Sequence, residues 1–193
     1  VTESADVVVY QQVDTLPEQI MLHIEQVDQV PRLEGGHSGG ASFSPDRVYR
    51  YDLMRVWGSG RRMMLWVMLN PSTADETKLD PTLRRCKGFA ERWGFDGMHV
   101  RNIFAFRATE PQDMQQAPDP VGPDNDWWLA HDLDKFERVV AGWGVHGRFR
   151  GRGEKVRDML AQAGRPPLAL RVTKGGMPCH PLYLPGHLEP FAL

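Results

Sequence analysis

Four short stretches carry the polar residues that could do chemistry, and they come in a fixed order. An apolar run at 63–69 leads into Asn70-Pro71-Ser72-Thr73-Ala74-Asp75. A second run, 98–105, holds Asn102 followed by Ile103-Phe104. A third, 138–144, ends in Trp143-Gly144, and the fourth stretch is His180-Pro181-Leu182-Tyr183. The functional groups on offer are amides and an imidazole. An amide presents a paired donor and acceptor and can position water, but it is a poor base. Asp75 and Asp80 could act as acids, bases or metal ligands; Asp80, directly before Pro81-Thr82-Leu83, also has the position of a helix cap. Plainer readings stand beside these. Asn70-Pro71 suits a strand-ending turn, Asn102 a structural hydrogen bond, His180 a satisfied loop histidine, and Trp143-Gly144 packing and a turn.

Several other chemistries lack their motifs. There is no GxxxxGK[ST] phosphate loop and no G-x-S-x-G nucleophile elbow. Gly142-Trp143-Gly144 lacks the third glycine of a dinucleotide fingerprint. The seven histidines are scattered and none forms an H-E-x-x-H pair, so no metal site and no cofactor are expected. Cys86 and Cys179 are too few for a disulfide framework, and reduced thiols are the simpler expectation.

The elements that must position these residues alternate between strand and helix. Residues 49–57 alternate loosely, as a strand does, and 63–69 are continuously apolar, as in a strand buried on both faces. Asp80 and Pro81 open a helix that runs to about Trp93 and stops at Gly94. Strands follow at 98–105, 138–144 and 168–172, with helices at 125–135 and 153–163. Such alternation predicts a three-layer α/β sandwich with a mostly parallel central sheet. Ligands of such sheets sit beyond the carboxyl ends of the strands, where Asn70, Asn102 and the turn after Trp143 fall. Residues 1–45 read as an N-terminal extension to a domain spanning 46–193. In it, 7–10 could form a short strand, 17–30 have roughly helical spacing, and the glycines from Gly35 to Gly40 suggest a flexible loop.

The 193 residues are 41% hydrophobic and 25% charged, enough for one domain with its own core. No apolar run nears the roughly 20 residues that span a bilayer. With no secretory pattern at its start, the chain is expected to be cytoplasmic and away from membranes. Net charge is −2, but its distribution is uneven. Arg148, Arg150, Arg152, Lys155, Arg157, Arg165, Arg171 and Lys174 are opposed only by Glu154 and Asp158. That stretch suits an anionic ligand or a nucleic-acid backbone, or simply a solvated surface.

The order of the four landmarks resembles that of the uracil-DNA glycosylase superfamily. There, an apolar strand leads to Asn-Pro or Asp-Pro, a later strand carries a base-reading Asn, and a Trp-Gly strand and a His-Pro loop follow. Leu69-Asn70-Pro71-Ser72 is similar to the mismatch-specific branch, and His180-Pro181-Leu182-Tyr183 keeps the His-Pro but lacks the serine. The chain resembles more closely an uncharacterised family of bacteria and phages, defined only as a domain of unknown function. That likeness adds Asp80-Pro81-Thr82 and Arg101-Asn102-Ile103-Phe104-Ala105 to the pattern and carries no activity with it.

The glycosylase resemblance implies a fold of that type and cleavage of the N-glycosidic bond of an unusual or modified base in DNA. Asn70 would hold the attacking water and His180 would donate to the base oxygen that becomes negative. Asn102 would read the base edge, with Pro71, Ser72, Asp80 and Phe104 around the substrate. Arg148, Arg150 and Arg152 would hold phosphates. Two other functions remain open: an enzyme acting on a free nucleoside or nucleotide, and a non-catalytic module that binds DNA or a modified base.

Overall fold

The computed structural model describes residues 28–33, 37–72 and 80–193. The expected strand at 7–10, most of the helical spacing at 17–30, and Asp75 lie outside them. Eight strands form one sheet: β1 (Asp28–Leu33), β2 (His37–Phe43), β3 (Arg50–Val56), β4 (Met63–Met68), β5 (Gly97–Asn102), β6 (Arg138–Ala141), β7 (Leu168–Ala169) and β8 (Phe191–Ala192). Their spatial order is β1-β2-β3-β5-β4-β6-β7-β8. Among the described residues four α-helices accompany them: α1 (Pro81–Arg92), α2 (Pro111–Gln116), α3 (Asn125–Ala130) and α4 (Arg152–Gln162).

The sheet is parallel only at its centre, where β5, β4, β6 and β7 run together. The expected parallel pairing thus holds at the centre, while both flanks are antiparallel. Between β1, β2 and β3 the connections are too short for a helical crossover, so these strands pair antiparallel. The strands β1 and β2 pair with one another, and β2 pairs with β3, so a boundary at residue 45 cuts a connection within the sheet. Gly39 and Gly40 belong to β2 and not to a loop. A Cβ on Gly39 would lie 2.8 Å from both Arg55 Nη1 and the Met54 carbonyl. Glycine is there because another side chain crosses the strand, a use of glycine that composition alone does not separate from flexibility.

All six residues of β4 are buried, and their alternation divides the core in two. Met63, Leu65 and Val67 face α3 and α4, packing with Leu129, Val156 and Leu160. Met64, Trp66 and Met68 face α1, packing with Leu83, Cys86, Phe89 and Ala90. Helices therefore cover both faces, as the apolar run requires. Each fully buried side chain of this size contributes about 1.5–3 kcal/mol. The helix α1 begins where expected: Asp80 Oδ1 accepts from the Leu83 amide at 2.7 Å, and Pro81 occupies the first turn. It ends at Gly94, whose φ of +76° suits glycine.

A buried ion cluster ties β3, β5 and α3 together. Asp52 accepts from Arg101 Nε at 2.9 Å and meets His99 Nδ1 at 2.7 Å. Arg101 also donates to the backbone carbonyls of Trp128 and His131. Burial disfavours the Asp52 anion, but His99 and Arg101 outweigh it and hold the carboxyl down at about 2.

Candidate functional site

A cavity of about 320 Å³ opens beyond the carboxyl ends of β4, β5 and β6. Leu69, Asn70 and Ser72 reach it from the end of β4, and Asn102 from the end of β5. Trp143 and Gly144 come from beyond β6, Asp80 and Thr82 from the start of α1, and His180 from the loop before β8. Asn70, Ser72, Asp80, Asn102 and His180 thus share one wall-to-wall space, although as many as 110 positions separate them in the chain.

Hydrogen bonds to the backbone orient Asn70, Asp80 and His180. Asn70 donates through Nδ2 to the Ala108 carbonyl at 2.7 Å and the Pro71 carbonyl at 3.2 Å. Its donor side is committed to backbone, so what it offers the cavity is the Oδ1 acceptor. Asn102 is 2% exposed, and its Nδ2 has no hydrogen-bond partner among the described residues. Its backbone is pinned from behind. Asn125 Nδ2 donates to the Asn102 and Ile103 carbonyls at 3.0 and 3.1 Å, and Arg152 Nε to the Ile103 carbonyl at 2.7 Å. A buried amide donor without a partner costs about 1–3 kcal/mol unless water or a ligand satisfies it.

His180 caps the 3-10 turn at Pro181–Tyr183: its Nδ1 accepts from the Leu182 amide at 3.3 Å. The proton of the neutral ring must therefore sit on Nε2, which becomes a donor. Burial pushes the imidazole below its ordinary value of 6.5, and the nearby Asp80 carboxylate partly offsets this. The loop can approach because position 142 has no side chain. A Cβ on Gly142 would lie 2.9 Å from Met68 Sδ and 3.0 Å from Pro181 Cδ. Gly144, at φ +70°, turns the chain and donates its amide to the Pro178 carbonyl at 2.8 Å. Trp143 is wedged beside Gly147 and Gly153, where a Cβ would come within 2.7 Å of its indole.

Other expected residues fall elsewhere. Pro71 is buried; its carbonyl accepts from Asn70 and from the Ala108 amide and so shapes the turn. Phe104 is fully buried in the core and packs against Phe149, away from the cavity. Arg152 is 3% exposed, ion-paired to Asp126 at 2.5 Å and bonded to Ile103. It is an internal clamp, and its place in a surface phosphate set is withdrawn. Arg148 and Arg150 are exposed, a few residues beyond Val145 and His146 on the cavity wall. Arg50 and Thr109 line the cavity and escaped the sequence reading. Arg50 opens β3, and a strand running antiparallel to β5 carries its first residue to the end where β5 finishes. Only knowledge of strand direction could have pointed to it.

Among the described residues, no three His, Cys, Asp or Glu are grouped so as to hold a metal ion. No helix among them is long and apolar enough to cross a membrane. Fold and cavity together define an α/β protein with a cavity at the carboxyl edge of its parallel strands, the edge at which sheets of this kind take their ligands. The chain belongs to the family described as Protein of unknown function (DUF1643), whose model matches residues 50–182. No curated protein and no solved structure matches it.

Proposed function

We propose that this protein cleaves the N-glycosidic bond of an unusual or modified base in DNA. The observation that carries the reading is the one cavity that Asn70, Asn102 and His180 line, with the Asn70 donor side tied to backbone carbonyls and His180 Nδ1 accepting from the Leu182 amide, which leaves an amide acceptor and an imidazole N–H for a ligand. Breaking that bond builds positive charge on the sugar and negative charge on the departing base. Asn70 Oδ1 positions the attacking water. His180 Nε2–H stabilises the anion that forms on the base oxygen, and Asn102 Nδ2 donates to the base edge. The base must first leave its stack, which costs a few kcal/mol in duplex DNA. Arg148 and Arg150, exposed near the cavity wall, hold the flanking phosphates.

The test is alkali-revealed strand cleavage on labelled DNA carrying uracil, mismatched thymine, deaminated purines and bulky modified pyrimidines. Abasic product is expected from the wild type on at least one base. His180→Ala should lower the rate by about 10²–10³-fold, as removing one donor to a developing anion does, and Asn70→Ala should also abolish most turnover. No product on any base overturns the reading. Salt-sensitive DNA binding would then point to a binding module, and its absence to free nucleosides or nucleotides.

A further inference from the structure

The proposed reaction lacks a base. An amide at position 70 can orient a water but cannot take its proton, and among the described residues that line the cavity the one carboxylate is Asp80. The cap it forms on α1 uses only Oδ1, which accepts from the Leu83 amide at 2.7 Å. That bond fixes the side chain without occupying Oδ2. The groups of opposite or changeable charge around it in the cavity are Arg50, His146 and His180. Asn102 on the same cavity wall is 2% exposed, and its buried Nδ2 has no hydrogen-bond partner among the described residues, so a polar group seated beside it would gain a donor.

Resting on the glycosylase reading above, we propose that Asp80 is a catalytic residue, the general base whose Oδ2 takes the proton of the attacking water. The helix cap and the catalytic role belong to different oxygens of one carboxylate. In the step itself, the water oxygen bonds to the anomeric carbon and the carbon–nitrogen bond breaks. The electron pair of that bond leaves with the nucleobase. The water proton goes to Asp80, and the base anion is held by His180 Nε2–H and Asn102 Nδ2. Asp80 then releases its proton to solvent, the departed base takes one up, and the net change is addition of water. The Asp80 carboxylate raises the His180 imidazole against the effect of burial, as fits two groups lining one small space.

The experiment separates the two oxygens. Asparagine caps helices about as well as aspartate, so Asp80→Asn keeps the cap and removes the base. Serine, a second capping residue, serves as Asp80→Ser if the first variant does not fold, and thermal unfolding shows which variants are intact. Single-turnover and steady-state rates are measured on whichever DNA base the wild type releases. The expected result is a fall in kcat of about 10²–10⁴-fold with little change in KM. A folded Asp80→Asn with wild-type turnover overturns Asp80 as the base and leaves the glycosylase reading standing. A wild type that releases no base from the panel overturns both.

Discussion

His180 is useful because of which nitrogen carries its proton. The Leu182 amide occupies Nδ1, so protonating the ring fully means giving up that bond or placing a cation in a buried space. Burial, only partly offset by Asp80, therefore sets its pKa below 6.5. The unfolded chain then binds the proton more readily than the folded one. Stability associated with this group is complete above about 6.5 and declines as pH falls from there through the folded value. The His180 Cε1 proton resonance should titrate with a midpoint below 6.5, and a midpoint at or above it would remove the neutral donor from the mechanism. At this scale the sequence was informative. Asn70, Asn102 and His180 stand out as polar residues that follow or end apolar runs, and all three meet in the cavity. Arg152 misled because a basic run is averaged over neighbours, whereas burial is decided residue by residue.

Helix and strand ends do the positioning. The carboxyl end of β5 is held by Asn125 and Arg152, each donating to the Ile103 carbonyl, and Asn102 faces the cavity from that anchored backbone. Arg152→Ala is thus expected to act through the fold. It leaves the half-exposed Asp126 with Lys155 as its partner and the Ile103 carbonyl short of one charged donor, costing about 1.5–3 kcal/mol as the loss of a hydrogen bond to a charged group does. Urea denaturation measures that loss. DNA affinity should fall without a change in its salt dependence, whereas Arg148→Ala or Arg150→Ala should each reduce the salt slope by about 1. A reduced slope in Arg152→Ala would return that residue to the phosphate set. Elements with strong local signals were legible. The cap at Asp80, the proline after it and the stop at Gly94 define α1 to within a residue or so. The strand expected at 168–172 is present as β7 but pairs over only two residues, while the short helix α2 and the two-residue strand β8 were not legible, because so few residues carry no periodicity. They form by packing on what is already there.

Across the whole molecule, the two halves of the core share β4. Trp66 is fully buried between Phe89 and Trp93 on the α1 side, while its neighbours Leu65 and Val67 face α3 and α4. Trp66→Ala should cost about 3–5 kcal/mol. Fluorescence and circular dichroism should still report one coincident transition, since a strand common to both faces couples them. Two separated transitions would mean the halves fold independently. The central parallel strands and their helical cover could be read from continuous apolar runs. The antiparallel flanks could not, because alternation reveals a strand and says nothing of its direction. That direction matters for Arg50, which lines the cavity from the first position of a strand that runs against its neighbour. Side chains along a strand alternate between faces, so a slip of one residue exchanges Arg50 for Tyr49 or Tyr51 at that wall, a cation for a phenol. In genetic terms, gaining or losing a single codon in the connection between β2 and β3 could rewrite the charge of the cavity while every catalytic codon stays untouched.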